Sequence, residues 1–132
     1  MKAQEIMVKD PVSIRPNHKL KDVLKLMKQH GVSHLIVTDE NKTLKGVIAK
    51  SDILKHILEV LERTTGRTYT SLELNNISVD MVMTKKVIHI NSETRYNEIK
   101  NIIVDNKINC IPVTDENLSV QGIITSYDLL KQ

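Results

Sequence analysis

The nine residues from Gly46 to Leu54, GVIAKSDIL, return as GIITSYDLL from Gly122 to Leu130. Gly122 follows Gly46 by 76 residues and Asp128 follows Asp52 by the same interval, so the copies stay in register without a gap. The match extends upstream, where Val37-Thr38-Asp39-Glu40-Asn41 recurs as Val113-Thr114-Asp115-Glu116-Asn117. Over residues 37–54, nine of eighteen positions are identical. This internal duplication constrains the fold more than any other feature. A unit of roughly 60 residues buries too little surface to be secure alone. The sequence therefore predicts two pseudo-symmetric halves that bury their apolar faces against each other.

Each half carries the same succession of periodicities. In the first, Pro11 holds the chain extended ahead of a brief strand over 12–15, and Asn17 is expected to cap a helix. Leu20, Val23, Leu24 and Met27 fall on one face of that helix, which Gly31 ends. The run 34–37, bounded by turn residues, predicts a buried strand with 44–49 as its partner. Ile53, Leu54, Ile57, Leu58 and Leu61 then mark a second amphipathic helix. A polar stretch follows, holding Gly66 and Arg67. In the second half the expected order is a strand at 87–90, a helix bearing Tyr96, Ile99, Ile102 and Ile103, strands near 110–113 and 120–125, and a last helix from Tyr127. The expected organisation is repeat 1 over 1–63, a linker over 64–76 and repeat 2 over 77–132, each repeat β-α-β-β-α and the whole α/β.

Composition narrows the function classes. Nineteen Lys and Arg against 16 Asp and Glu are spread along the chain, and the three tyrosines are the only aromatics, which argues against a nucleic-acid platform. No apolar run approaches the roughly 18 residues of a membrane span, and MKAQEIMVKD lacks the apolar stretch of a signal peptide. A soluble cytoplasmic protein is expected. Cys110, the single cysteine, is expected to be a buried structural thiol. The histidines show no metal spacing, and there is no P-loop, GxGxxG or GxSxG. No nucleophile is paired with a base, so a non-enzyme is expected.

The glycine, aliphatic pair, small polar residue and aspartate (Gly122, Ile123, Ile124, Thr125, Asp128), the strand-turn-strand before them and the Met-x-x-x-aliphatic approach (Met83 to Val87), all duplicated at one offset, resemble a tandem pair of cystathionine-β-synthase (CBS) domains, a Bateman module. The resemblance covers nearly the whole chain. It implies a regulatory module, without catalytic residues or a catalytic cofactor, that binds AMP, ADP, ATP or S-adenosylmethionine in inter-repeat clefts. It also implies a homodimer that signals to an effector protein, with no membrane partner. Carried over residue by residue, the first cleft would use Asp10, Val12, Val32, Ser33, His34, Ser51 and Asp52. The second would use Lys86, Ile88, Ile108, Asn109, Cys110, Thr125 and Asp128, and it is preferred because Lys86 and the Thr125 hydroxyl suit a nucleotide. In the family the aspartate receives the ribose hydroxyls. A carboxylate accepting two hydrogen bonds from a cis-diol agrees with that role.

A second reading stays open beside this one. Thr125-x-x-Asp128 also has the spacing of a capping box, in which both residues serve only the first helical turn. The module would then be a ligand-free oligomerisation or interaction device, supported by Leu26, Leu58 and Leu61, which cannot all face one core. Ala49 in the place of Thr125, and Ser51 in the place of Tyr127, make the two copies chemically unequal.

Overall fold

Short apolar runs closed by Thr-Asp-Glu-Asn become paired strands, and runs with helical spacing become the helices that cover them. In the computed structural model, which describes residues 1–63 and 75–132, the order is α1 (Ala3–Ile6), β1 (Val8–Lys9), β2 (Ser13–Ile14), α2 (Leu20–His30), β3 (His34–Thr38), β4 (Leu44–Ala49) and α3 (Lys50–Arg63). A 3-10 turn (Val79–Met81), α4 (Tyr96–Asn106), β5 (Cys110–Thr114), β6 (Val120–Thr125) and α5 (Ser126–Leu130) follow. The polar stretch from 64 to 74, with Arg67 and Tyr69, lies outside the described residues, as does the Leu61 side chain.

The described chain divides into two units. The C-terminal unit contains Met1–Pro11, Glu40–Leu44 and Lys86–Gln132, and the N-terminal unit contains Val12–Asp39 and the described part of Lys45–Lys85. Each repeat's lead-in segment therefore packs in the unit built mainly from the other repeat. In the C-terminal unit the sheet order is β1-β6-β5, both pairs antiparallel, with Ile90 bridging Val113 in parallel. In the N-terminal unit the order is β2-β3-β4, with β2 parallel to β3 and Thr84 bridging Val47 antiparallel. Val8 pairs with Ile123 as Thr84 pairs with Val47, so the 76-residue interval holds in the backbone pairing too.

Ile14, Leu20, Val23, Met27, Leu35, Val37, Ile48, Ile53 and Val79 form the N-terminal core. Ala3, Ile6, Ile90, Ile99, Ile103, Ile111, Val113, Ile124 and Leu129 form the C-terminal one. Fully burying such a side chain contributes about 1.5–3 kcal/mol.

Four local expectations change. α1 was not foreseen, since four residues do not sustain a helix alone; hydrogen bonds from the Ala3 and Gln4 amides to the Thr94 and Ser92 carbonyls, at 2.8 and 3.0 Å, hold it. Asn17 does not cap α2: the N-cap is Lys19, whose amide donates to Asp22 Oδ2 at 2.9 Å. The expected strand at 87–90 reduces to the single bridge at Ile90. Pro112 stands where the first repeat has Ile36, and without an N–H it removes a hydrogen bond that would register His89 as Ser13 is registered. On α3, Ile53 and Ile57 face the core, whereas Leu54 and Leu58 are 56 and 52% exposed.

The helix ends also repeat. Gly31 follows α2 with φ 62°, and Lys107 follows α4 with φ 53°. The lysine carries a left-handed conformation that glycine adopts without steric cost.

The two motif glycines have a more demanding task. A Cβ on Gly122 would lie 2.6 Å from Met7 Sδ and 2.8 Å from the Val8 carbonyl oxygen. One on Gly46 would lie 2.8 Å from Met83 Sδ and 2.7 Å from the Thr84 carbonyl oxygen. The thioethers could swing aside, but the carbonyls belong to the paired backbone. Gly122→Ala is therefore expected to cost about 1–3 kcal/mol in urea denaturation. Adding Met7→Ala should not restore the loss, because the Val8 carbonyl stays in place. A Gly122→Ala protein as stable as the parent would contradict this account.

Candidate functional site

β4 runs into α3, and β6 into α5, with no intervening loop. The last strand residue therefore serves as the helix N-cap, and the motif aspartate falls at the third helical position. The Ala49 amide donates to Asp52 Oδ2 at 2.8 Å, and the Thr125 amide donates to Asp128 Oδ2 at 2.8 Å. Thr125 adds its hydroxyl, which donates to Asp128 Oδ2 at 2.9 Å and accepts from the Asp128 amide at 3.3 Å, completing a capping box. The next amide in each copy is also taken. Lys50 N–H donates to the Ser33 carbonyl at 2.9 Å, and Ser126 N–H donates to the Asn109 carbonyl at 3.0 Å.

These bonds bring Ser33 to the first turn of α3, where Ser51 and Asp52 lie, and His34 opens the adjacent strand. Val12 and Val32 are half-buried against the N-terminal core. Asp10 belongs to the other unit, is exposed, and pairs with Lys42 at 3.9 Å. In the C-terminal unit Cys110 stands opposite Thr125 in the β5–β6 pair, the Asn109 carbonyl reaches Ser126 in the turn that carries Asp128, and Ile108 packs on the core. Cys110 is buried and in no disulfide. Lys86 and Ile88 are exposed, and no hydrogen bond or ion pair ties Lys86 to that group among the described residues.

The two carboxylates differ in what remains free. Asp128 is 5% exposed, and its Oδ1 lies 4.0 Å from Lys131 Nζ. Asp52 is half-buried, and its Oδ1 has no hydrogen-bond or ion-pair partner among the described residues. Tyr127 does not fill its turn. It is 68% exposed, with Lys131 Nζ 5.0 Å from its ring centroid.

Two open hollows in the C-terminal unit fell outside the sequence reasoning. One, of about 550 Å³, lies between Gln4, Met7, Lys9 and Asp10 on one side and Ser92, Val120 and Gln121 on the other. The second, of about 370 Å³, is bordered by Met1, Arg95, Tyr96, Asn97 and Gln132. Of the expected site residues only Asp10 lines either one. The polar residues around them recur in no spacing that marks a site. Among the described residues no helix is long and apolar enough to cross a membrane.

A two-unit α/β fold whose motif strands end in a carboxylate-capped helical turn defines a duplicated small-domain protein. The CBS domain profile matches residues 3–59 and again 78–132. The chain belongs to the CBS domain family and carries a tandem pair of the domains. MJ1225 of Methanocaldococcus jannaschii, an uncharacterised protein, is 32% identical over 127 residues, 96% of this chain and 45% of its own length. The chain thus spans about half of that relative. The crystal structure of MJ1225, described as a putative archaeal homolog of g-AMPK, superposes with a TM-score of 0.84 at 29% identity over 98% of this chain and 46% of that one. The CBS pair of MJ0100, in complex with 5'-methylthioadenosine and S-adenosyl-L-methionine, superposes with a TM-score of 0.80 at 24% identity over 99 and 94% of the two chains. CBSX2 in complex with AMP superposes with a TM-score of 0.79 at 21% identity over 98 and 93%.

Two outcomes follow from the turns. Asp128→Ala leaves the Thr125 amide and hydroxyl without their acceptor in a buried place, whereas Asp52→Ala frees one amide in a more open one. Thermal denaturation should show the larger loss for Asp128→Ala, about 2 kcal/mol against about 1, and equal losses would contradict the difference. Burial holds the His34 imidazole below the usual value of 6.5, and the nearby Asp52 charge partly offsets it. The unfolded chain then binds the proton more readily than the folded one. The stability from neutral His34 is full above pH 6.5 and is lost as pH falls below it. Titration of His34 by NMR should give a midpoint below 6.5 that falls further in Asp52→Asn. A midpoint that rises in that variant would contradict the coupling.

Proposed function

We propose that this CBS pair is a non-catalytic regulatory module that binds an adenosine-containing ligand, with the motif carboxylate accepting the ribose diol. The observation that carries the reading is Asp52, a half-buried carboxylate fixed through Oδ2 to the Ala49 amide with Oδ1 unoccupied among the described residues. Methylthioadenosine and S-adenosylmethionine on MJ0100, and AMP on CBSX2, support the ligand class. In this reading the first-repeat turn, with Val12, Val32, Ser33, His34, Ser51 and Asp52, replaces the second-repeat set preferred on sequence as the leading site, because Asp128 is buried beside Lys131 whereas Asp52 is half-open. Asp10 remains one of its proposed residues. The second-repeat set of Lys86, Ile88, Ile108, Asn109, Cys110, Thr125 and Asp128 is a further site, in which the ligand would meet Asp128 Oδ1 beside Lys131 Nζ. Leu54 and Leu58, turned outward on α3, support a homodimer. Transmission to an effector protein requires that the ligand bind two states with different affinity.

The ligand-free interaction module has one observation in its favour. Glu5 and Asp22, outside the motif, accept their N-cap amides in the same way, at 3.1 and 2.9 Å, so capping alone suffices to place an acid there. A thermal-shift panel of AMP, ADP, ATP, S-adenosylmethionine and methylthioadenosine separates the two. A ligand at 100 times its Kd should stabilise by about 2.7 kcal/mol, a rise of roughly 5 °C or more for a chain of this size. Unchanged melting with every compound at millimolar concentration would leave the interaction module standing.

A further inference from the structure

Resting on the adenosine-ligand reading, we propose that the first-repeat turn selects by charge, taking phosphate-free adenosyl compounds in preference to adenine nucleotides. A helix N-terminus attracts phosphate through amides that lack acceptors. Here the Ala49 amide is held by Asp52 and the Lys50 amide by the Ser33 carbonyl, both within 2.9 Å. Two amides at this end of α3 are thus already taken, one of them by a carboxylate. A phosphate at this turn would meet the Asp52 charge and needs a cationic side chain to offset it. Among Val12, Val32, Ser33, His34, Ser51 and Asp52 there is neither Lys nor Arg. The neighbouring Lys50 side chain is exposed and makes no ion pair with Asp52. His34 adds no dependable positive charge at neutral pH, because its burial favours the neutral ring.

The second-repeat turn differs on this point. Lys131 stands 4.0 Å from Asp128, and Lys86 is exposed and free of ion pairs among the described residues. The charge selection therefore applies to the first turn. A nucleotide brings a phosphate of about −2 at neutral pH toward a carboxylate with no described counter-ion. A thioether such as 5'-methylthioadenosine brings the same diol with no charge, and the sulfonium of S-adenosylmethionine brings a positive one. Repulsion of this kind in a half-buried site corresponds to about tenfold or more in affinity.

Isothermal titration of the full chain with 5'-methylthioadenosine, S-adenosylmethionine, AMP and ADP at one ionic strength tests this. The binding that Asp52→Asn weakens defines the first turn; the asparagine amide oxygen can still accept the Ala49 N–H, so the cap is kept. At that site methylthioadenosine and S-adenosylmethionine should bind at least about tenfold more tightly than AMP. Ser33→Arg, at an exposed position, should tighten AMP and leave methylthioadenosine unchanged. An Asp52-dependent site that binds AMP as tightly as methylthioadenosine overturns the selectivity and leaves the adenosine reading intact. Binding of none of the four overturns both.

Discussion

The close approach of a lead-in backbone to each motif glycine is the constraint on which the rest depends. A carbonyl within 2.8 Å of the place where a Cβ would stand, and a methionine sulfur equally near, require a residue with no side chain at 46 and 122. The approach lets Val8 pair with Ile123 and Thr84 with Val47. It thereby closes one edge of each sheet with a segment from the other repeat's lead-in. Each unit is consequently discontinuous in sequence, and the duplicated motif sits at the centre of its sheet.

The same strands carry the chemistry. Because β4 and β6 pass into helices without a loop, the motif aspartate must sit at the third helical position, within reach of the N-cap amide. The carboxylate then performs a structural task in both copies. What varies is the cap residue. Thr125 encloses Asp128 in a reciprocal network and leaves it buried, while Ala49 has no hydroxyl to offer and Asp52 stays half-open. The hydroxyl present on Thr125 and absent from Ala49 thus goes with different exposure of the same functional group.

Much of the fold was legible because its signals are local. The Thr-Asp-Glu-Asn turn works as its composition suggests: Asp115 Oδ1 accepts the Asn117 and Ser119 amides, both at 2.9 Å, fixing the hairpin between β5 and β6. Helix faces followed from spacing except on α3, where five apolar residues exceed what one contact face accepts and Leu54 and Leu58 turn outward. The features that escaped are long-range. α1 depends on carbonyls some ninety residues away, and the loss of a ladder at His89 depends on a proline on the neighbouring strand. For the site, the grouping of Ser33 or Asn109 with the aspartates came from the family resemblance, and the Lys50 and Ser126 amides join those segments in the structure. The contrast in carboxylate exposure was not legible, because it depends on packing around an N-cap and on Lys131 at the end of α5.

Capping and ligand binding are compatible uses of one carboxylate. Its two oxygens offer about four acceptor positions, and the N-cap amide occupies one. An Asp52 already fixed through Oδ2 loses little further side-chain freedom when a diol reaches Oδ1, so the cap pre-organises the group that the proposed ligand would meet. The same bond also gives the helix end a negative neighbour. A turn built this way favours a sugar over a phosphate unless a cation is added beside it, and the first repeat adds none among the residues proposed to line it.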